Sequence, residues 1–216
     1  MTKLRDKYKH IIWDWNGTLL DDNWFCVEVI NTLLAKRKMP LTTLAKYREI
    51  FGFPVIDYYK KLGFDFTKED FREVSIEFIE LYKKLSIKCT LHKKAKDILR
   101  QCLDSGLNQS ILSAMEQTML EQMLNFYDIR QFLENVIGTS DIYANGKTEY
   151  GRNLISSLQI DPKEILFIGD TVHDFEVALA MTTDCLLIAN GHHSKTRLLE
   201  TGCKVLDSIA GLARLL

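Results

Sequence analysis

Short apolar runs alternate with segments of helical spacing along most of this chain. From about Leu91 onward the predicted strands lie at residues 109–112, 133–137, 165–168 and 185–189, and helical segments lie between them. Residues 165–168 are apolar at every position, which is typical of a strand buried on both faces. Strands that alternate with helices form right-handed β-α-β units. The pattern therefore predicts an α/β fold built on a parallel sheet.

Residues 22–86 break this alternation, because they show helical spacing without a convincing strand. The apolar residues between Trp24 and Leu34 recur on one helical face, and glycines at positions 52 and 63 mark later helix ends. We predict that residues 1–21 and 87–216 form the α/β core. Residues 22–86 are then an inserted all-helical cap.

Composition excludes several classes of protein. The 216-residue chain carries 28 basic against 29 acidic residues, so its net charge of -1 favours neither nucleic acid nor an anionic membrane as a partner. The five cysteines lack C-x-x-C spacing, which argues against a zinc site or a disulfide framework and indicates a reducing compartment. No apolar signal core opens the chain, and no apolar run approaches the roughly 20 residues of a membrane span. We expect a cytoplasmic protein, monomeric or homodimeric, with no nucleic-acid and no membrane partner.

Polar residues that suit phosphate chemistry recur where strands end or helices begin. Asp14 follows the apolar run 11–13, Ser113 follows the run 109–112, and Asp170 follows the run 165–168. Ligands bind at the carboxyl ends of strands in open parallel sheets. Each residue alone has a simpler interpretation: Asp14 as a turn residue, Ser113 as a loop hydroxyl, Lys147 as an exposed lysine after the Asn145-Gly146 turn. Their common placement predicts a phosphoryl-transfer site instead.

These motifs, taken in order, resemble those of the haloacid dehalogenase superfamily, in its phosphatase branch with a helical cap. The segment Asp14-x-Asn16-Gly17-Thr18-Leu19-x-Asp21 is similar to the first motif, D-x-D-G-T-x-x-D, with one substitution. Ser113, Lys147 and Gly169-Asp170-x-x-x-Asp174 are similar to the other three. The resemblance covers nearly the whole chain, and phosphoglycolate-phosphatase-like enzymes and β-phosphoglucomutase are similar in layout. It implies a Rossmann-like three-layer core with a parallel sheet, plus the all-helical cap.

The resemblance also implies roles for individual residues. Asp14 would be the nucleophile and form an aspartyl-phosphate on a small phosphorylated metabolite, while Lys147 would orient Asp14 and balance negative charge. Mg²⁺ would be the cofactor, held by Asp14, Asp170 and the backbone carbonyl of Asn16, with Asp174 holding metal-bound water or completing the acidic cluster. Phosphate would bind to the Ser113 hydroxyl, the Lys147 ammonium and nearby backbone N–H groups. Those N–H groups belong to Trp15, Asn16, Gly17, Thr18 and Ala114.

Asn16 departs from the family motif, which has a second aspartate there as the general acid and base. Asparagine keeps the size and the backbone carbonyl but cannot transfer a proton, which is worth about 10²- to 10⁴-fold in rate. Three interpretations stay open. The protein is a slow phosphatase or recruits another group such as His173; it catalyses a different reaction or binds phosphate with little turnover; or Asn16, which precedes Gly17, deamidates to aspartate. Restoring the carboxylate by Asn16→Asp is expected to raise turnover.

The cap is expected to select the leaving group of a substrate such as phosphoglycolate or a sugar phosphate. Residues 48–54 are the candidate substrate loop, with Arg48 as a ligand for a second anionic group and Phe53 at its apolar end; the alternative is that the phenylalanines belong to the cap core. The His192-His193 pair is expected in a loop near the site rather than on a metal. Phosphotransferase, phosphonatase or dehalogenase chemistry is a further alternative, but no cap lysine has a diagnostic position.

Overall fold

The computed structural model describes residues 3–140 and 147–216. Its main sheet has six strands, all parallel, in the order β5-β4-β1-β6-β7-β8. In chain order these are β1 (His10–Trp13), β4 (Asn108–Glu116), β5 (Asn135–Thr139), β6 (Ile165–Gly169), β7 (Asp184–Ile188) and β8 (Lys204–Leu206). Strand β1 lies near the centre of the sheet, so the residues that follow it lie between the ends of β4 and β6.

Helices cover both faces of this sheet, which confirms the predicted three-layer α/β core. They are α5 (Ala95–Asp104), α6 (Gln117–Phe126), α7 (Lys147–Leu158), α8 (Val172–Ala180) and α9 (Lys195–Leu199). Alternate residues of β1 enter different apolar clusters: Ile12 packs with Leu154 of α7 and Val177 of α8, while Ile11 and Trp13 join the larger cluster on the other face. Because β1 is buried on both faces, its sequence is apolar without alternation.

Four helices lie in the segment for which the sequence predicts a cap: α1 (Asn23–Lys36), α2 (Leu44–Ile50), α3 (Val55–Leu62) and α4 (Phe71–Leu85). Two antiparallel strands flank them, β2 (Leu20–Asp21) and β3 (Thr90–Leu91), and these form a separate two-stranded sheet. Strands of this length carry no readable periodicity, so they escape sequence analysis. The division into separate domains at residues 22 and 86 stays a prediction.

Strand β4 differs from the sequence expectation, which ends it before Ser113. It continues to Glu116, and its pairing with β5 shifts register between Leu112 and Glu116. Ser113 therefore lies within an irregular part of the strand. Among the residues that the structure describes, no helix is long and apolar enough to cross a bilayer.

Candidate active site

The carboxyl edge of the sheet brings the motif residues to one cavity. Trp13, the residue before Asp14, pairs with Ile111 of β4 and Ile168 of β6. This register places the residues after Ile111 in β4 and after Ile168 in β6 at the same level of the sheet as Asp14. Asp14, Ser113 and Lys147 accordingly line one cavity between the core and the cap helices.

Lys147 is buried between two carboxylates. It begins α7, is 3% exposed, and donates hydrogen bonds from Nζ to Asp14 Oδ1 (2.5 Å) and Asp174 Oδ1 (2.7 Å). Burial lowers the pKa of Lys147, but the two carboxylates offset this and hold the pKa above its ordinary value. Burial raises the pKa of Asp14 to about 6, against the opposing charge of Lys147. Lys147 is thus a charged residue that orients Asp14 and not an exposed turn lysine; the Asn145-Gly146 turn lies outside the described residues.

Asp174 organises the loop after β6. Its Oδ2 accepts hydrogen bonds from the backbone N–H groups of Asp170 (3.1 Å) and Thr171 (2.9 Å) and from the Thr171 hydroxyl (2.7 Å). Its Oδ1 is bound by Lys147. Both oxygens are engaged, so Asp174 positions Lys147 and Asp170 and completes the acidic cluster, which is one of the two roles that the resemblance implies for it, the other being to hold metal-bound water.

Asp170 is fully buried beside Asp14. Its Oδ1 accepts a hydrogen bond from the Thr18 hydroxyl (2.9 Å), and its Oδ2 accepts one from the backbone N–H of His192 (2.6 Å). The backbone approaches this carboxylate closely at two glycines. A Cβ on Gly17 would lie 2.3 Å from Asp170 Oδ2, and one on Gly191 would lie 2.1 Å from it. Gly17 also has a φ of +76°, which side chains disfavour.

The donor set at this point fits a hard divalent cation. Carboxylate oxygens of Asp14, Asp170 and Asp174 lie within 4.8 Å of one another, and Lys147 is the cation bonded to the cluster. Oxygen ligands with excess negative charge are those that Mg²⁺ prefers. Asp14 and Asp170 are the side chains best placed to hold the ion. Within the described part of the chain no hydrogen bond occupies the backbone carbonyl of Asn16, so it is also free to serve.

The expected phosphate donors divide into two groups. The buried Ser113 hydroxyl accepts a hydrogen bond from the Met115 N–H (3.1 Å), which leaves its own proton to donate. The Gly17 N–H, by contrast, already donates to Leu20 O (2.9 Å) and Asp22 Oδ1 (2.9 Å). Gly17 therefore provides space beside Asp170 and not a phosphate contact, which corrects the expectation from the sequence.

Three further N–H groups from the first motif were expected to bind phosphate, those of Trp15, Asn16 and Thr18. None of them donates to another described residue. The Trp15 side chain is fully buried and packs 6.0 Å from the Tyr127 ring, so this residue can reach phosphate only through its backbone. Ala114 lines the cavity beside Ser113.

Asn16 is held by a carboxylate that the sequence analysis did not assign to the site. Its Nδ2 donates hydrogen bonds to Asp22 Oδ2 (2.7 Å) and to the Tyr82 hydroxyl (3.0 Å), which itself donates to Asp22 Oδ2 (2.7 Å). A carboxylate only accepts hydrogen bonds, so the amide nitrogen must face Asp22 and the amide oxygen must face away. The site thus lacks a carboxylate at position 16 but has a buried one next to it, at position 22.

His192 supplies the counter-charge to Asp22. Its Nε2 lies 3.3 Å from Asp22 Oδ1, and its Nδ1 is hydrogen-bonded to the Tyr47 hydroxyl (2.8 Å). Burial lowers the pKa of His192, but Asp22 outweighs this and raises it to about 9. Burial raises the pKa of Asp22, and His192 outweighs that and holds it below its ordinary value. Both groups are therefore charged at neutral pH.

Asp22 and His192 also form a compact cluster with Cys26. Burial raises the pKa of the Cys26 thiol well above its ordinary value, so the thiolate needed for a soft metal is disfavoured. Asp22 already accepts hydrogen bonds from Gly17, Asn16 and Tyr82. We therefore describe the cluster as a buried ion pair. The sequence signal for it is the second acidic residue of the Asp21-Asp22 doublet.

The two cap residues assigned to substrate binding have different positions. Phe53 lines the cavity, and its ring lies 4.8 Å from that of His173. Arg48 does not line it: Nε donates to Gly191 O (2.9 Å) and Nη2 donates to Asn190 O (3.1 Å). Arg48 therefore joins the cap to the loop after β7 and, because it does not line the cavity, is not placed to bind a second anionic group of a substrate, contrary to the sequence expectation.

Comparisons with known proteins agree with this geometry. The family model for haloacid dehalogenase-like hydrolases matches residues 11–188. Among solved structures, a haloacid dehalogenase-like family hydrolase from Streptococcus pneumoniae is 21% identical, with a TM-score of 0.82 over 97% of this chain and 99% of that one. A predicted phosphoglycolate phosphatase from Haemophilus somnus is 17% identical, with a TM-score of 0.79 over 96% and 97% of the two chains.

Protein tyrosine kinase A of Mycobacterium tuberculosis shares the fold too, at 18% identity and a TM-score of 0.80, over 97% of this chain and 98% of that one. No curated protein matches. At such identities the likeness shows the fold and not the reaction. The family match covers most of the chain and includes the motifs that contribute Asp14, Ser113, Lys147 and Asp170. The chain belongs to the haloacid dehalogenase-like hydrolase family.

Proposed function

We propose that the protein is a Mg²⁺-dependent phosphatase that hydrolyses a small phosphomonoester through an aspartyl-phosphate on Asp14. The observation that carries the proposal is the position of Asp14. It lies in the cavity with Ser113, is bonded to the buried Lys147, and is within 4.8 Å of the Asp170 carboxylate. A carboxylate attacks a phosphate dianion only where positive charge offsets their repulsion.

Each residue then has a defined part in the first step. An oxygen of Asp14 attacks phosphorus, and the bond from phosphorus to the ester oxygen breaks, so that the alcohol leaves with the electron pair. Lys147 balances charge at Asp14, and the Ser113 hydroxyl donates to a phosphoryl oxygen. Asp14, Asp170 and the Asn16 carbonyl would hold Mg²⁺, which when bound would supply Lewis-acid polarisation of the phosphoryl group.

The second step consumes water. Water attacks phosphorus, the bond to the Asp14 oxygen breaks, and orthophosphate leaves with the proton passing to phosphate or solvent. Asn16 can accept a hydrogen bond from this water through Oδ1, because its Nδ2 is engaged by Asp22 and Tyr82. An amide cannot take up the proton, so we expect slower turnover than with a carboxylate at this position.

The same observation favours a second candidate: a phosphate-binding protein of this family with little turnover, or a phosphotransferase whose acceptor is another hydroxyl. The discriminating experiment is orthophosphate release from a panel of phosphomonoesters with Mg²⁺. The Asp14→Asn variant is the matched control, because it keeps the shape of the side chain and removes the nucleophile. Release that requires Asp14 supports hydrolysis; Mg²⁺-dependent phosphate binding without release supports the second candidate. The compartment and the oligomeric state stay predictions.

A further inference from the structure

The cavity above Asp14 is strongly apolar on the side of the cap. It has a volume of about 200 Å³. The motif residues Asp14, Ser113 and Lys147 lie at its core end. Its cap walls are contributed mainly by Phe51, Phe53, Val55, Tyr58, Phe78 and Ile79. A leaving group that follows the phosphate into this space meets aromatic rings and aliphatic carbon.

The buried cations that line the cavity, Lys147 and His192, are already paired with carboxylates of the protein: Lys147 with Asp14 and Asp174, and His192 with Asp22. Among the described cap residues that line it, Lys83 is the only lysine or arginine, and its side chain is exposed. Lys83 helps to lower the pKa of Glu116, a carboxylate that also lines the cavity. Arg48 is engaged by backbone carbonyls outside the cavity. A buried, unpaired carboxylate is costly, so this chamber disfavours phosphoglycolate.

The wall has the geometry of an aromatic binding site. Phe51 lies edge-on to Phe53 (ring centroids 5.6 Å apart, 69° between planes) and to Tyr58 (5.3 Å, 79°). Such arrangements are favourable for aromatic pairs, and a further ring would extend them. An apolar protein cavity of about 150 Å³ accommodates benzene. The hydroxyl of Tyr58, 3% exposed, has no hydrogen-bond partner among the described residues and is the one polar group of this wall left for a ligand substituent.

The amide at Asn16 is a second, independent reason to expect a leaving group that departs without being protonated by the protein. Its amide cannot donate a proton to an alkoxide, and its Nδ2 is bound by Asp22 and Tyr82. An aliphatic alcohol is about as weak an acid as water, so its alkoxide is a poor leaving group without a proton donor. A phenol, like the tyrosine side chain, has a pKa of about 10 and leaves as the phenolate. An aryl ester is therefore the substrate whose cleavage depends least on the general acid that this site lacks.

We propose that the leaving group is an apolar aromatic alcohol, so that the substrates are small aryl phosphates; this rests on the proposed phosphatase function. The oxygen of Asp14 forms the new bond to phosphorus while the aryl ester bond breaks. The phenolate leaves with the electron pair and takes its proton from water. Cap aromatic side chains hold the ring, and the charged groups of the core hold the phosphate.

The test compares two aryl phosphates whose leaving groups are both phenols. With the wild-type protein and Mg²⁺, kcat/KM for 4-methylphenyl phosphate should exceed that for 4-carboxyphenyl phosphate by ~100-fold or more, because only the second carries a carboxylate into the chamber. Phosphoglycolate and glucose 6-phosphate should be poorer still. If all release requires Asp14, the phosphatase stands in either of two contrary outcomes. Equal use of both aryl esters refutes the apolar chamber, and with it the proposal of an apolar leaving group. Best use of phosphoglycolate refutes the aromatic leaving group itself.

A binding measurement separates the two proposals if turnover is absent. The phosphonates 4-methylbenzylphosphonate and 4-carboxybenzylphosphonate cannot be hydrolysed and are compared by calorimetry with Mg²⁺. Preference for the methyl compound without any Asp14-dependent release supports the aromatic ligand and refutes the phosphatase. Absence of both preference and release refutes both.

Two lysine substitutions on α6 provide a matched pair of variants. Met119 lines the cavity, whereas Gln122 is exposed and lines only the neighbouring groove. Met119→Lys should raise the relative kcat/KM, and the relative affinity, for the carboxylate compound about 10-fold or more by supplying the missing cation. Gln122→Lys adds the same charge to the same helix and should change the ratio less than about two-fold. Equal effects of the two substitutions would contradict the proposed position of the leaving group.

Discussion

The position of Asp22 changes the expectation from the sequence that Asn16→Asp alone raises turnover. We predict that this substitution alone destabilises the protein and restores little activity, and that activity rises when a second substitution accompanies it. Asn16 Nδ2 lies 2.7 Å from Asp22 Oδ2. In Asn16→Asp an oxygen replaces that nitrogen, so a hydrogen bond is lost and two carboxylates face each other in a buried site. In the double variant Asn16→Asp/Asp22→Asn the two groups exchange roles, and the net charge and the hydrogen bond are retained.

The structure gives the scale of the effect. Two carboxylates about 4 Å apart at an effective dielectric constant of about 20 repel by about 4 kcal/mol. A proton shared between them reduces this value, and we expect Asn16→Asp to lose about 2–4 kcal/mol of unfolding free energy. For a chain of this length that corresponds to a fall in Tm of roughly 5–15 °C. The double variant should recover the part of this loss that comes from repulsion between the two carboxylates, although His192 then loses its partner carboxylate at position 22. It should gain turnover of about 10²-fold or more, because the carboxylate at position 16 is then free to transfer protons.

The assay combines thermal unfolding with phosphate release for the wild type, both single variants and the double variant. A double-mutant cycle isolates the coupling between positions 16 and 22. The reasoning is refuted if Asn16→Asp is as stable as the wild type and as active as the double variant. That result would mean that the carboxylate at position 22 does not restrict the side chain at position 16.

Three further predictions concern the glycine turn, the metal and pH. Gly17→Ala should lower the free energy of unfolding by at least ~2 kcal/mol more than Gly106→Ala. Both glycines have positive φ (+76° and +80°), but of the two only Gly17 has neighbours with which a Cβ would collide. Equal losses of unfolding free energy in chemical denaturation would refute this. Mg²⁺ should raise the Tm of the wild type and not that of Asp170→Asn, and chelation should abolish phosphate release; an equal rise in both proteins would show that Asp170 is not a ligand. Burial lowers the pKa of His10 to about 4, from the ordinary value of 6.5. The unfolded chain therefore binds this proton more tightly than the folded chain does. The contribution of His10 to the free energy of unfolding is fully present above pH 6.5 and is lost as the pH falls toward 4, by up to ~3 kcal/mol. His10→Gln should remove that part of the pH dependence of unfolding, and an unchanged pH profile would contradict the assignment.

Much of the core could be predicted because the strands there are indicated by the residues of each segment alone. The apolar run 165–168 becomes β6, buried at every position, and the run 133–137 becomes β5 with its bounds shifted by two residues. Local patterns failed where pairing with a distant segment decides the structure. Strands β2 and β3 exist only because Leu20 pairs with Leu91 and Asp21 with Thr90. The extension of β4 beyond Ser113 depends in the same way on its neighbour β5.

In the candidate site the sequence identified the groups that follow parallel strands but not their partners. Lys147 was assigned a charge-balancing role, whereas its simultaneous bonds to Asp14 and Asp174 require three separate loops to meet. Arg48 was assigned to the substrate because arginine binds anions. Its actual partners are backbone carbonyls of the loop after β7, and carbonyl acceptors leave no signature in a sequence.

The parallel α/β core, the helical segment after the first strand and the chemical types of the motif residues are all readable in the sequence, because strand periodicity and residue chemistry are properties of neighbouring positions. The positions of the charges depend on the folded chain. It places Asp22 against Asn16 and His192 against Asp22, and it encloses the space above Asp14 with aromatic side chains from the cap. These contacts join residues far apart in the chain, and burial of a charge or closure of a cavity exists only once the chain has folded.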